Sequence, residues 1–212
     1  MNEANTLSER IDLLETRLTF QDETIETLNK TITAQGGANG APPNNLLDQR
    51  DQLVQQLAQE IGVNVVQDSN GAVDIYATGG AALVNGGNSY QLNAAPGSFL
   101  DGNVAVTYGP TGQDITASLG GGQLGGLIGY RAQLVAVANS IGALAVSFTD
   151  AVNGQQAQGL DLTGNLGQAM FSDAGPAVYA STANTGSGSL GATIASAGAL
   201  VPDNFIVTRT AT

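Results

Sequence analysis

The feature that most constrains how this chain can fold is a heptad spacing of apolar residues, which recurs in separate segments. In the first segment, Thr6 to Ala34, the apolar residues lie four, three, four, seven, three and four positions apart, with Gln21 at the skipped position. This spacing makes one stripe of a helix apolar and is typical of helices that pack lengthwise against others. We therefore predict a long helix with a buried stripe of Leu7, Ile11, Leu14, Leu18, Ile25, Leu28 and Ile32.

A second helix is predicted from about Asn45 to Ile61. Residues 36–45 (GGANGAPPNN) separate it from the first, because Gly and paired Pro cannot continue a helix. Asn44 or Asn45 can cap the second helix, and Asp48 in its first turn suits the helix dipole. Its apolar face comprises Leu46, Leu53, Leu57 and Ile61, with Leu47 and Val54 beside them.

Between residues 63 and 117 the apolar spacing changes to two, which predicts short antiparallel strands joined as hairpins. Turn signals separate the apolar runs at residues 68–71, 79–80, 85–87 and 101–103. Asn70-Gly71 is the clearest of them, because a type I′ turn needs positive φ at both central positions. The alternating residues are Val63, Val65, Val73, Ile75, Leu83, Tyr90, Leu92, Val104, Val106 and Ile115.

From Gln123 to about Gln158 the helical spacing returns in a segment with little charge. Asp150 is its one acidic residue. Since a helix that is apolar on most sides is usually buried, we predict that the first two helices enclose this one. The predicted seam comprises Leu124, Leu127, Arg131, Leu134, Ala138, Ile141, Ala145, Phe148 and Val152.

The stretch from Leu124 to Phe148 is also long enough for a membrane span, which needs about 20 predominantly apolar residues. It carries Arg131, Gln133, Asn139 and Ser140, however, and has no flanking cluster of positive charge. Polar groups are unfavourable at membrane depth, so we expect no membrane insertion.

After Gly159 the chain is rich in Gly, Ser, Thr and Ala, and three short segments are strand candidates: Val178–Tyr179, Ala192–Ile194 and Phe205–Val207. Together these patterns predict an α+β fold. Its expected architecture is a long-helix bundle of three heptad-patterned helices, with an inserted antiparallel β-hairpin element and the start of an all-β domain after it.

The composition excludes several classes of function. The formal net charge of −12 repels nucleic acid and anionic lipid. The chain has no Cys and no His, so it lacks disulfides, thiolate metal sites, and the commonest general base and metal ligand. The polar N-terminus has no basic-then-apolar pattern, so we expect no cleaved signal peptide.

Gly120, Gly122 and Gly125 fit the G-x-G-x-x-G pattern of dinucleotide-binding turns. That pattern requires an acid about 20 residues later, yet none lies between Asp114 and Asp150, and no parallel βαβ pattern surrounds the glycines. We interpret the glycines as the entry to a tightly packed helix.

The segment Asp161–Asn165 resembles a calcium loop only weakly, because Ser172 stands where an EF-hand loop needs its closing Glu. Lys30, the one Lys, is the only candidate for a Ser–Lys pair, and it lies at a polar helix end. We therefore predict no catalytic, cofactor-binding or metal site, no cofactor, and no enzymatic activity.

Several short motifs, taken in order, resemble the flagellar hook-associated proteins of the FlgK type. Their order and spacing match that family over roughly residues 7 to 165, and linked motifs in one register are more specific than any motif alone. The motifs are NNLLDQRDQL at 44–53, IGVNV at 61–65, GGQLGGL at 121–127, YR at 130–131, DAVN at 150–153 and QGLD at 158–161.

The resemblance implies a domain organisation and a structural role. Residues 1–62 and 118–163 would form a helical rod domain, residues 63–117 an inserted β-hairpin element, and residues 164–212 part of an outer β domain. The role would be that of a junction between flagellar hook and filament, outside the bacterial cell, reached by export without a cleaved signal peptide.

The resemblance also implies partners. These would be other flagellar axial proteins: the hook protein, the second junction protein and neighbouring subunits of the same protein. Because the family assembles through terminal segments that this internal piece of the pattern lacks, we expect the chain itself to be monomeric. The alternatives are a secreted adhesin-like binding module and a flagellin relative.

Overall fold

A computed structural model describes residues 3–39, 44–69, 71–172 and 175–208 of the chain. Within these residues the structure contains three α-helices and seven β-strands, so the α+β prediction is confirmed. The helices are α1 (Glu3–Asn39), α2 (Asn44–Glu60) and α3 (Gly122–Ala157). The strands are β1 (Val63–Gln67), β2 (Val73–Ala77), β3 (Ala82–Asn85), β4 (Asn88–Ser89), β5 (Leu92–Pro96), β6 (Val104–Tyr108) and β7 (Gln113–Asp114).

The chain divides into two compact units. The first comprises Met1–Gly129 with Ser181–Ala183, and it contains α1, α2 and all seven strands. The second comprises Tyr130–Ala180 and Asn184–Thr212, and it contains most of α3.

The helices lie close to their predicted positions, with one difference at the end of α1. That helix continues to Asn39, through the two glycines at 36 and 37 that were expected to end it. Glycine inside a helix costs only about 1 kcal/mol, whereas proline costs about 3 kcal/mol, so the glycines alone do not stop the helix. Residues 40–43, which include the paired prolines, lie outside the described residues.

The predicted hairpins are confirmed as two antiparallel sheets, ordered β1-β2-β3-β4 and β5-β6-β7. Val65 pairs with Ile75 in the first sheet, and Ala94 pairs with Val106 in the second. Glycines at all four predicted turns have positive φ: Gly71 (82°), Gly80 (85°), Gly86 (60°) and Gly102 (78°). Asn70, the other half of the predicted type I′ turn, lies outside the described residues.

The core of the first unit lies where α1 and α2 pack against the sheets. Leu57 near the end of α2 and Ile61 just after it are fully buried beside Ile25 of α1 and Ile75 of β2. The apolar stripe predicted for α1 is therefore buried along its length at Ile11, Leu14, Leu18, Ile25 and Ile32.

Polar side chains of α1 bind backbone groups of the strands and fix the helix over the sheets. Glu15 accepts a hydrogen bond from the Ala94 N–H (2.9 Å), and Glu26 accepts one from the Ser89 N–H (3.1 Å). Both acceptors face outer strands of their sheets, β5 and β4, whose backbone donors would otherwise be exposed. The Asn29 amide donates to the Val73 carbonyl (2.8 Å) and accepts from the Val73 N–H (3.3 Å).

The expectation that α1 and α2 enclose α3 is wrong. Leu124 is the one buried residue of α3, and Ile141, expected in the seam, is 62% exposed. The physical reason is that α1 buries its stripe against α2 and the strands, so that stripe is not available to α3.

The strand candidates near the C-terminus are also wrong. Val178–Tyr179, Ala192–Ile194 and Phe205–Val207 have no strand structure. In the described part of residues 158–212, bridge pairing is confined to Leu160 with Leu166 and Ser181 with Phe99. A strand is stable only with a partner, and these segments lack one here.

Leu14→Ala is expected to lower the free energy of unfolding by about 2–3 kcal/mol, because Leu14 is buried in the core cluster and truncation leaves a cavity. Urea titration followed by circular dichroism measures this change. Leu13→Ala is the matched control: Leu13 is 60% exposed, so its truncation should change the free energy by less than about 0.5 kcal/mol. Equal effects of the two substitutions would contradict the assignment of the α1 stripe.

The same reasoning, applied to sequence alone, gives a loss of several kcal/mol for Ile141→Asp, since the heptad pattern predicts that Ile141 is buried. The structure overturns that expectation, because a charge placed on an exposed side chain stays in water. The folded chain should tolerate Ile141→Asp with a change of about 0.5 kcal/mol or less.

Candidate functional site

The glycines that fit the dinucleotide pattern lie in a turn that packs against the end of α2. The Gly62 N–H donates to the Gly120 carbonyl (3.0 Å), and the Thr78 N–H donates to the Gly62 carbonyl (3.0 Å). The Thr78 hydroxyl donates to the same Gly120 carbonyl (2.9 Å) and accepts from the Gly120 N–H (2.8 Å). The backbone of Gly120 therefore has its hydrogen-bond partners within the chain, namely the Gly62 N–H and the Thr78 hydroxyl.

A side chain added to Gly62, Gly121, Gly122 or Gly125 would clash with backbone atoms. A Cβ on Gly62 would lie 2.1 Å from the Gly120 oxygen, and a Cβ on Gly122 would lie 2.5 Å from the Ile61 nitrogen. Gly121 and Gly122 also have positive φ, at 73° and 59°. The glycine pattern is thus explained by the close approach of two backbone segments.

Asp161 forms a closed turn. Its Oδ1 accepts hydrogen bonds from the Thr163 N–H (2.8 Å), the Thr163 hydroxyl (2.8 Å) and the Asn165 N–H (2.8 Å). These bonds, led by the one from the Thr163 hydroxyl, hold the pKa of Asp161 below its usual range. The carboxylate is engaged by its own loop, so the turn interpretation stands.

The described residues contain no group of three or more His, Cys, Asp or Glu that could hold a metal.

Lys30 forms an ion pair with Glu26, one turn away on α1. The other oxygen of Glu26 accepts from the Ser89 hydroxyl (2.6 Å), so the carboxylate lies between Lys30 and Ser89. Hydrogen bonds from Lys30 and Ser89 hold the pKa of Glu26 below its usual value. Through Glu26 this cluster joins α1 to β4.

Two buried polar groups in the first unit could not be predicted from sequence. Glu60 is buried and forms an ion pair with Arg17 of α1, whose side chain is half-exposed. Asp22 is 1% exposed, and no hydrogen-bond partner of its Oδ1 is found among the described residues. Burial, with a smaller contribution from Glu23, raises the pKa of Asp22 to about 8.

The largest exposed apolar surface on a single element follows α3. Six large apolar side chains at heptad spacing are each 45–70% exposed, and we call them the α3 stripe: Tyr130, Leu134, Val137, Ile141, Leu144 and Phe148. On other faces the helix contacts its own unit, since Asn139 binds Asn204 (3.1 Å) and Asn153 binds the Phe171 carbonyl (2.9 Å). By length and composition alone, α3 is also the one helix of the described residues that could cross a membrane.

Sequence reasoning identified α3 but predicted that its seam is buried, whereas most of the seam is exposed. Leu134, Ile141 and Phe148 belong to both the predicted seam and the α3 stripe, whereas the small residues Ala138 and Ala145 belong to the seam alone. A helix that is apolar on most sides satisfies the three-four spacing along more than one stripe.

Comparison with known proteins gives consistent matches over most of the chain. A family model described as the flagellar hook-associated protein FlgK helical domain matches residues 2–171. Flagellar hook-associated protein 1 of Escherichia coli (strain K12) is 38% identical over 187 residues, covering 85% of this chain and 34% of that protein. The chain thus spans about a third of the length of this relative.

A solved structure gives the same result. The flagellar hook junction protein FlgK from Burkholderia pseudomallei matches with a TM-score of 0.73 at 36% identity, over 86% of this chain and 34% of that one. A shorter similarity links the chain to the protein SlyX homolog of Bradyrhizobium diazoefficiens, 57% identical over 58 residues, which is 27% of this chain and 65% of that protein. The longer similarity carries the family assignment.

Proposed function

Since the chain belongs to the flagellar hook-associated protein FlgK family, which it matches over the helical domain, we propose that it forms part of the structural junction between flagellar hook and filament. The observation that carries this proposal is the continuous match over residues 2–171. The solved hook junction protein supports it with agreement in both sequence and fold.

Within the motif of residues 44–53, one side chain connects α2 to the strands. Arg50 within it is buried, and its guanidinium donates to the Gly71 carbonyl (2.6 Å) and to Asp51 (3.1 Å). Arg50 therefore ties α2 to the chain that enters β2, two residues from the point where Asn29 binds Val73 from α1. Both helices are anchored to the start of one strand.

The remaining parts of the proposal follow from the family. Residues 1–62 and 118–163 belong to a rod domain, residues 63–117 to an inserted β element, and residues 164–212 to the beginning of an outer domain. The protein acts outside the cell as a non-enzymatic component exported without a cleaved signal peptide. Its partners are the hook protein, the second junction protein and neighbouring subunits.

A segment exchange in Escherichia coli tests this function. In the flagellar hook-associated protein 1 of that organism, the matching segment is replaced by this chain, and the hybrid is expressed in a strain that lacks the native protein. We expect swimming to be restored and filaments to remain attached to the hook.

Two controls make the outcome specific. A hybrid without the helical segment should restore nothing, and one with exposed Leu13→Ala should behave like the unmodified hybrid. A hybrid that is exported in full length, yet leaves cells without attached filaments, would contradict the proposed function.

A further inference from the structure

The hairpin turn between β3 and β4 begins with a dipeptide that has a chemistry of its own, Asn85-Gly86. In an Asn-Gly pair the backbone nitrogen of the glycine can attack the side-chain carbonyl carbon of the asparagine, because glycine has no side chain to obstruct the approach. Asn85 and Gly86 are both exposed, and no atom lies within 4 Å of the position that a Cβ on Gly86 would occupy. Neither crowding nor exclusion of water therefore prevents the reaction at this turn.

The reaction is a deamidation, and water is its only co-reactant. The Gly86 nitrogen forms a bond to Asn85 Cγ, its proton passes through solvent to Asn85 Nδ2, the Cγ–Nδ2 bond breaks, and Nδ2 leaves as ammonia. Water then opens the five-membered succinimide ring at one of its two carbonyl carbons. The product is either an ordinary aspartate or an isoaspartate, in which the backbone runs through the former side-chain carbonyl.

Two side chains of β2 bind the two nitrogen atoms that this reaction uses. The attacking nitrogen, the Gly86 N–H, donates to Asp74 Oδ1 (2.7 Å), and the leaving nitrogen, Asn85 Nδ2, donates to the Tyr76 hydroxyl (2.7 Å). Asn85 is also paired with Asn88 across the hairpin, which keeps its backbone extended. For the attack, the peptide group between Asn85 and Gly86 has to rotate toward the Asn85 side chain. That rotation disrupts the pairing with Asn88 and the bond to Asp74.

We propose that Asn85 is a deamidation site that Asp74 and Tyr76 keep unreactive in the folded chain. The hydrogen bond from the Gly86 N–H ends on a carboxylate, and bonds to ionised groups are stronger than bonds between neutral groups. The reaction therefore proceeds from the opened hairpin, and its rate follows the fraction of chains in which the hairpin is open.

The reaction would weaken the contact between β4 and α1. Ser89 of β4 donates to Glu26 of α1 through both its N–H (3.1 Å) and its hydroxyl (2.6 Å). An isoaspartate inserts a methylene group into the backbone just before the turn, so β4 loses its register with β3. An aspartate at position 85 instead adds a negative charge beside β2, which carries Asp74. The inference does not depend on the proposed function.

The test compares deamidation of the whole folded chain in mildly alkaline buffer with that of the same chain in urea. Mass spectrometry of chymotryptic peptides follows the conversion of Asn85, and a protein isoaspartyl methyltransferase detects isoaspartate. Cleavage after Tyr76 separates Asn85 from the Asn70-Gly71 pair. We expect conversion of Asn85 to be at least about tenfold faster in urea, because the folded hairpin is open for only a small fraction of the time.

Two variants remove the two hydrogen bonds one at a time. Asp74→Ala removes the acceptor of the Gly86 N–H, and Tyr76→Phe removes only the hydroxyl that binds Asn85. Each should raise the rate of conversion in the folded chain about three- to tenfold, the change expected from the loss of one hydrogen bond. Leu14→Ala is the control, because it destabilises the core from α1 without touching the hairpin, and it should leave the rate unchanged. Circular dichroism verifies that all three variants are folded.

Three outcomes would overturn the proposal. The first is conversion of Asn85 at the same rate in buffer and in urea. The second is slower conversion in Asp74→Ala, which would make Asp74 a base that promotes the reaction. The third is a Leu14→Ala variant that converts as fast as Tyr76→Phe, which would assign the protection to global stability and not to the two hydrogen bonds.

Discussion

Gly62→Ala is expected to lower the free energy of unfolding by about 3–5 kcal/mol, because the added methyl group has no space. The added Cβ would lie 2.1 Å from the Gly120 oxygen, 3.0 Å from the Gly120 carbonyl carbon and 3.0 Å from Thr78 Cγ2. The first two contacts are with backbone, which cannot move away as a flexible side chain can. Relief of the clash would break the hydrogen bonds that join Gly62 to Gly120 and Thr78.

Urea titration of Gly62→Ala measures this loss, and Gly126→Ala is the matched control. Gly126 lies in α3 with no atom within 4 Å of the added Cβ, so its replacement by Ala should be neutral or stabilising by up to about 1 kcal/mol. A Gly62→Ala variant as stable as the unmodified chain would show that the two segments do not approach as described.

Asp22→Asn is expected to stabilise the chain in a pH-dependent way. Burial raises the pKa of Asp22 to about 8 from an ordinary value of 3.8, so between these values the folded chain binds a proton that the unfolded chain has lost. The stability contributed by this group is complete below pH 4 and is lost as the pH rises through about 8. The amide of the variant cannot ionise, so the variant keeps the stability that the unmodified chain loses when Asp22 ionises.

The expected gain of Asp22→Asn is small at pH 4 and approaches about 6 kcal/mol at pH 9, since the two pKa values of Asp22 lie about four units apart and each unit corresponds to about 1.4 kcal/mol. Urea titrations of both proteins across this range measure the difference. Glu23→Gln is the control, because Glu23 is exposed and only a secondary cause of the raised pKa. A gain that is independent of pH would rule out ionisation of Asp22 as its origin.

The two predictions concern positions where tertiary contacts override local preference. Gly62 looks like an ordinary helix-terminating glycine, and Asp22 looks like one of several acids on a polar helix face. Nothing in their neighbourhood along the chain distinguishes Asp22 from Glu23, yet one is buried and the other is exposed. The difference arises because α1 covers the sheets on the side that carries Glu15, Glu26 and Asn29.

By itself, the sequence determined the elements and their order. Heptad and alternating spacings, glycine turns and the proline pair placed three helices and the antiparallel strands, because each of these signals acts within a few residues of the chain. The linked motifs also determined the family. Only the tertiary structure decided which helices share a core and which face of α3 is exposed. These outcomes depend on contacts such as Asn29 with Val73, 44 positions apart, and no local pattern encodes such a contact.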